Sequence, residues 1–208
     1  MTPFTIAAKP PVLTRDIQAF YHTNFYGATH PDNPNYLYKF KNDPQHNWTD
    51  YQIRLAIGQL TSVLRMDLPQ ILQSLQLNPL TVCVVPRAKA DNTYRPNQLL
   101  FKATIKAVVD ALAGFNDGTN YIARHTNTRT THLRQPIEGF NNDGSMPYPG
   151  ITNATCHISN DVIGKNILLI DDIYTRTVNI DEDAIQALLN KGAASVAFYA
   201  IGNTVLRS

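Results

Sequence analysis

Of all stretches in this chain, Lys165 to Gly192 leaves the fewest options for folding. Asn166, Ile167, Leu168, Leu169 and Ile170 form a short run without polar alternation, the pattern of a strand buried on both faces of a parallel sheet. Asp171 and Asp172 end the run. Ile180, Ala184, Ala187 and Leu188 then recur at helical spacing up to Lys191, with Gly192 where a left-handed C-terminal cap belongs. A second β-rich run, Ser195 to Ile201, follows at once and can return beside the first strand by a right-handed crossover. The expected fold class is therefore α/β, with a mostly parallel central sheet flanked by helices.

Between strand and helix lies Asp171 to Asn179, reading DDIYTRTVN. In an open α/β sheet, ligands bind beyond the carboxyl ends of strands, where the next helix starts with unpaired N–H groups and a partial positive charge. Thr175, Arg176, Thr177 and Asn179 are all donors suited to a phosphate. The two acids repel phosphate but accept hydrogen bonds from sugar hydroxyls, so one loop is equipped to read a sugar and its phosphate together. Ordinary helix capping uses the same residue types, and Asp181, Glu182 and Asp183 suit the helix dipole with no ligand at all. The buried strand, the spacing of Thr175 and the Gly192-Ala193 pair at the helix end favour the ligand.

This segment resembles the phosphoribosyl pyrophosphate (PRPP) signature of type I phosphoribosyltransferases, in which an apolar strand is followed by two acids, two variable residues and Thr-Thr-Gly-x-Thr or a near variant. Asp171, Asp172, Thr175 and the apolar flanks match without a gap. Arg176 stands where a second Thr is usual, Thr177 where Gly is usual and Asn179 where Thr or Ser is usual. The resemblance implies a type I, Rossmann-like core with an N-terminal hood. It also implies binding of PRPP with Mg²⁺ and transfer of the phosphoribosyl group to a nitrogenous acceptor with release of pyrophosphate. Asp171 and Asp172 take the catalytic place at the ribose hydroxyls, and Thr175, Arg176, Thr177 and Asn179 the 5′-phosphate. Mg²⁺ comes through PRPP, with Asp171 or Asp172 as its nearest protein groups. If the place of Thr177 demands left-handed backbone, its Cβ costs roughly 1–2 kcal/mol, and the loop follows another path.

Upstream, Leu80 to Val85 reads as another buried strand running into Pro86, Arg87, Ala88 and Lys89. Two cations at a strand end make an anion site or a solvated basic turn; by the resemblance, Arg87 and Lys89 face pyrophosphate. Asn97 and Gln98 open a helix through Ala113, and they fit the Arg-Gly-Phe-Asn-Gln form of the branch that includes the competence protein ComF and is akin to amidophosphoribosyltransferases. Tyr121 to Ala123 reads as a strand before Arg124, and the region up to Thr152 is long and rich in Asn, Pro and Gly, the length at which loops are functional lids or disordered. Arg124, Arg129 and Arg134 are matched loosely to the family's pyrophosphate clamp, or are plain surface arginines. Thr155 to Ser159 reads as a further strand.

The N-terminal part is least readable. Pro3, Pro10 and Pro11 argue against early regular structure, Phe20 to Tyr26 is an aromatic cluster, and Tyr36 to Phe40 fits a strand. Thr49 and Asp50 cap a helix carrying Ile53, Ala56, Ile57, Leu60, Val63 and Leu64, and Asp67 with Pro69 restarts a second one. These elements divide the chain into 1–79, a hood and helical segment packed on the core, and 80–208, the phosphoribosyltransferase-like core.

At 208 residues with 43% hydrophobic and 16% charged residues, one soluble domain is expected. The net charge of +2 does not by itself indicate nucleic acid or a membrane surface. Cys83 and Cys156 sit in strand-like runs as buried thiols, and no apolar run approaches the ~20 residues of a membrane span. The expected setting is cytoplasmic. PRPP and an unidentified acceptor are the expected partners, and a homodimer is compatible with the resemblance. Two other roles stay open: a non-catalytic PRPP or nucleotide sensor, and a ComF-like accessory to DNA uptake built on a basic patch of Arg124, Arg129 and Arg134.

Overall fold

Apolar runs decide the sheet. In the computed structural model, which describes residues 1–27, 30–41, 48–130 and 142–205, the run after Asn166 becomes the strand Asn166–Tyr174 and its partner becomes Ser195–Thr204. The strands in chain order are β1 (Thr2–Ile6), β2 (Ile17–Phe25), β3 (Leu80–Val84), β4 (Phe115–Asp117), β5 (Ile122–Arg124), β6 (Cys156–Ile158), β7 (Asn166–Tyr174) and β8 (Ser195–Thr204). Six of them form one sheet in the order β1-β2-β8-β7-β3-β4, and every pairing except β1 with β2 is parallel. Helices α1 (Leu37–Lys41), α2 (Asp50–Leu75), α3 (Leu100–Val109) and α4 (Ile180–Asn190) flank it. The α/β class with a mostly parallel sheet is thus the architecture observed.

Alternation along each strand splits the core into two layers. Ile167 and Leu169, with Cys83, Val85 and Phe198, face α4 and the β5–β6 ribbon. Leu168 and Ile170, with Val82, Val84 and Tyr199, face α1, α2 and α3. Burial on both sides explains why these strands show no polar alternation. No helix among the described residues is long and apolar enough to cross a membrane.

Several elements differ from the sequence reading, each for a physical reason. Pro3 lies within β1, which is an edge strand, where the missing N–H is tolerated. The aromatic cluster is most of β2, which pairs in parallel with β8, so the sheet crosses the expected boundary at residue 79/80. Tyr36 to Phe40 is helical rather than extended: α1 buries Leu37 and Phe40, three residues apart, on one side of a short turn. The two expected helices over 50–75 are the single helix α2. Thr49 opens it with a capping box, Gln76 closes it in left-handed geometry, and Ala56, Leu60, Leu64, Leu68 and Ile71 keep one buried stripe through Pro69. The carbonyl that Pro69 leaves without its helical partner belongs to Arg65, on the exposed side, where solvent can reach it. Helix α3 starts at Leu100 and ends at Val109, shorter than expected, with 3₁₀ turns before it. Phe115–Asp117 is a short parallel edge strand, and β5 and β6 form a separate antiparallel ribbon.

Candidate functional site

The order of strands places a crevice. From β3 the chain crosses through α3 to β4 on one side, and from β7 it crosses through α4 to β8 on the other. Neighbouring parallel strands whose connections diverge leave an opening at their carboxyl ends. The last rung between β3 and β7 is Val85 N–H to the Ile170 carbonyl, at 3.0 Å. Beyond it β7 stays with β8 as far as Tyr174, and a cavity of about 190 Å³ opens over the split.

Pairing with β8 carries β7 four residues past the expected strand end, so Asp171 and Asp172 lie within the strand rather than on a loop. Successive side chains on a strand leave by opposite faces. Asp171 accordingly meets Asp181 in the first turn of α4, whereas the Oδ2 of Asp172 lies 3.4 Å from Lys41 Nζ at the end of α1. Both carboxylates line the cavity.

Their electrostatics differ accordingly. Burial, then the charge of Asp172, pushes Asp171 up to about 7. Burial and Asp171 push Asp181 well above the carboxylate range as well. Asp181 is 4% exposed and its Oδ1 has no hydrogen-bond partner. Two carboxyl groups in contact, Asp181 buried and Asp171 half-buried, do not both ionise readily, so this pair keeps a proton near neutral pH. Asp172 has a cation instead: its charge is the main reason that Lys41 is pushed up despite burial.

Much of the remaining polar lining is cationic. Arg87, Lys102, Arg124 and Arg129 line the cavity with Tyr94, Phe40 and Phe101. Arg87 donates from Nη1 to the carbonyls of Phe40 (3.2 Å) and Gln98 (2.6 Å) and from Nη2 to the carbonyl of Lys41 (2.7 Å), and it stacks 4.4 Å from the centre of the Tyr94 ring. It thereby fastens α1 over the cavity, with Nε–H and one Nη2–H left for a ligand among the described residues. Arg124, 5% exposed, donates from Nε to the Arg87 carbonyl (2.7 Å) and from Nη1 to the Gly150 carbonyl (2.8 Å). Its Nη2 and one Nη1–H remain. A buried Arg124 cannot contribute to a surface patch for DNA. Arg129 is exposed on the rim, and Lys102 pairs with Asp91 at 3.1 Å.

Other expected residues are placed elsewhere. Lys89 is buried and holds Asp143 through both its carbonyl (2.6 Å) and its Oδ1 (2.9 Å), outside the cavity lining. The loop after β7 does not line this cavity apart from Ile180 at its end. Thr175 shares a hydrogen bond with Thr204 at 2.8 Å, Asn179 takes left-handed backbone (φ 58°) and accepts from Lys9 Nζ at 2.8 Å, and Arg176 lines a second cavity. Thr177, where a glycine was usual, has no positive φ; that geometry falls on Asn179. Arg134 lies outside the described residues.

Two residues were missed. Lys41 carries no local signal, because only the fold brings residue 41 to residue 172. Asp181 was explained by the helix dipole, yet an acid in the first turn after a strand-end acid is also placed to face it.

No family model matches the chain, and no curated protein sequence matches it. Among solved structures, three HPRTs from an analysis of an invariant aspartic acid overlap with it, as glutamine, glutamic acid and asparagine mutants. They are 14%, 14% and 13% identical, each over 76% of this chain and over 79%, 79% and 77% of their own, with TM-scores of 0.39, 0.37 and 0.36. The overlap is loose, and what the crevice can bind follows from its own side chains.

Proposed function

We propose that the β3–β7 crevice binds PRPP and that the protein transfers its phosphoribosyl group to a nitrogenous acceptor, releasing pyrophosphate. The observation that carries this reading is one cavity lined by two adjacent carboxylates together with Arg87, Arg124, Arg129 and Lys102. Carboxylates accept from ribose hydroxyls, and guanidinium groups donate to a diphosphate. Asp172 and Asp171 take the ribose, and the free N–H groups of Arg87 and Arg124 take the pyrophosphate. The first amides of α4, which starts at Ile180 on the cavity lining, receive the 5′-phosphate; Thr175, Thr177 and Asn179 lie off that lining, and Arg176 stays on the far side. Lys89 supports the wall through Asp143.

No group of three or more His, Cys, Asp or Glu residues able to hold a metal occurs among the described residues. Two carboxylates beside a phosphate site nevertheless suit Mg²⁺, which keeps its waters and binds through one or two carboxylates and substrate phosphates. When bound there with PRPP, Mg²⁺ would neutralise charge on the leaving pyrophosphate. The chain's own part is positional and electrostatic. Arginines aimed at the leaving group stabilise the charge that develops on it, and holding acceptor and ribose in line removes part of the barrier. Phe40, Phe101 and Tyr94 supply the apolar wall for the acceptor.

Calorimetric titration with PRPP and Mg²⁺ tests the reading. Asp172→Asn removes an ionised acceptor worth about 1.5–3 kcal/mol per hydrogen bond, so affinity falls by roughly 10-fold or more. Unchanged affinity sinks the PRPP site. Pyrophosphate release with candidate acceptors then separates an enzyme from a sensor. The sensor has one observation in its favour, the Lys41 ammonium already seated on Asp172.

A further inference from the structure

A second cavity, about 510 Å³, lies on the α4 side of the sheet, between the end of β1 and the ends of β7 and β8. That volume falls within the roughly 300–1,000 Å³ of small-molecule sites. Its wall joins groups of three kinds. Lys9 and Arg176 are exposed cations, and Arg176 makes no hydrogen bond or ion pair among the described residues. Phe4 and Tyr174 are aromatic, with ring centres 5.3 Å apart. Glu182 is an acid only 4% exposed.

Glu182 is the informative member. Its Oε1 accepts from the Tyr174 hydroxyl at 2.8 Å, but its Oε2 is buried and has no partner. A buried carboxylate oxygen without a donor has given up its water for nothing in return. Burial and that carboxylate both push the Tyr174 hydroxyl up, so the tyrosine stays a donor and cannot relieve the second oxygen. A ligand N–H can. The same carboxylate repels phosphate, so an anionic ligand is oriented with its charge at Arg176 and Lys9 and its donor inward. Asn203 and Thr204 supply neutral polar contacts between the two ends.

We propose that this second cavity is a separate binding site for a nucleoside monophosphate whose base carries an amino group. Its phosphate lies at Arg176 and Lys9, its base against Phe4, and its amino N–H donates to Glu182 Oε2. The assignment is independent of what the β3–β7 crevice binds.

The test is calorimetric titration of the full chain with AMP, and with adenosine, ribose 5-phosphate and inorganic phosphate as separate arms. AMP is expected to bind at least 10-fold more tightly than each of the other three. Glu182→Gln keeps the side chain's size and the Tyr174 bond but replaces the free oxygen with an NH₂ group, and it should weaken AMP at least 10-fold. Lys9→Ala, an exposed change that spares folding, should weaken AMP and ribose 5-phosphate alike. Asp172→Asn should leave AMP untouched while reducing PRPP affinity, so the two sites fail separately. Amide hydrogen exchange on the unaltered protein should show AMP protecting residues 4–9 and 203–204. Ribose 5-phosphate binding as tightly as AMP, AMP affinity indifferent to Glu182→Gln and Lys9→Ala, protection confined to residues 84–91, or no AMP binding would each overturn the proposal.

Discussion

Two acids in this molecule, Asp67 buried and Asp171 half-buried, have been given opposite surroundings. Asp67, in the middle of α2, is fully buried under the sheet. Its Oδ2 accepts from His22 Nδ1–H at 2.9 Å and from the Tyr199 hydroxyl at 2.8 Å, and its Oδ1 has only the Met1 amino nitrogen at 4.0 Å. Burial alone would raise that carboxyl, but His22 and Tyr199 outweigh it and hold it below the usual carboxylate range. Asp171 is set against another acid and is driven upward. A carboxylate that serves the fold is given donors from the strands beside it. One beside an open crevice is left wanting a proton or a ligand, the arrangement by which perturbed groups mark functional sites.

The largest effect is expected at Asp67, whose Oδ2 is held by two donors. Asp67→Ala leaves the Tyr199 hydroxyl and the His22 ring without their acceptor beneath the sheet. Stranding the buried Tyr199 hydroxyl alone costs about 1–3 kcal/mol, and loss of the His22 bond adds to it, to be read from urea unfolding. A loss under about 1 kcal/mol would show that Asp67 is not the anchor between α2 and the sheet, and the contrast with Asp171 would collapse.

The crevice acids predict the reverse, and pH separates the two. A carboxyl raised on folding binds its proton more tightly in the folded state. Its contribution is therefore whole below about pH 4, the unfolded carboxylate range, and is lost as pH rises through about 7. Asp67, held low, contributes above the unfolded range and loses its share only as pH falls through its own depressed value. Asp181→Asn replaces a buried acid with a neutral amide able to donate to Asp171. Thermal melts should show the variant equal to the parent near pH 4 and more stable above pH 7, with a flatter profile. A parallel profile for parent and variant would mean that Asp171 and Asp181 do not share a proton.

These differences trace to what a sequence can carry. The β7-α4-β8 unit was legible because a strand buried on both faces has no polar alternation and because Ile180, Ala184 and Leu188 mark one helical face. The end of β7 was not, since Asp-Asp reads as a stop and only the pairing of Ile173 and Tyr174 with Gly202 and Asn203 extends the strand. That extension turns the acids to opposite faces, which no reading of DDIYTRTVN as a loop could provide. Asp67 was read as a cap for a second helix, because an Asp before a Pro suits a helix start; its partners His22 and Tyr199 are 45 and 132 residues away. Lys41 likewise has meaning only through Asp172.

The smallest effect is expected at Lys41. The ion pair with Asp172 spans 3.4 Å between side chains that are 23% and 25% exposed, and pairs with access to water contribute about 0–1 kcal/mol. The cover over the crevice does not depend on it, because Leu37 and Phe40 are buried and Arg87 holds the carbonyls of Phe40 and Lys41. Lys41→Met, which keeps the aliphatic stem, should therefore change stability in urea by less than about 1 kcal/mol. It should also free Asp172 for a ligand hydroxyl, so PRPP affinity should hold or rise. A stability loss of several kcal/mol would make this ion pair structural, like the bonds around Asp67, and would place the crevice acids on the same footing as the buried anchor.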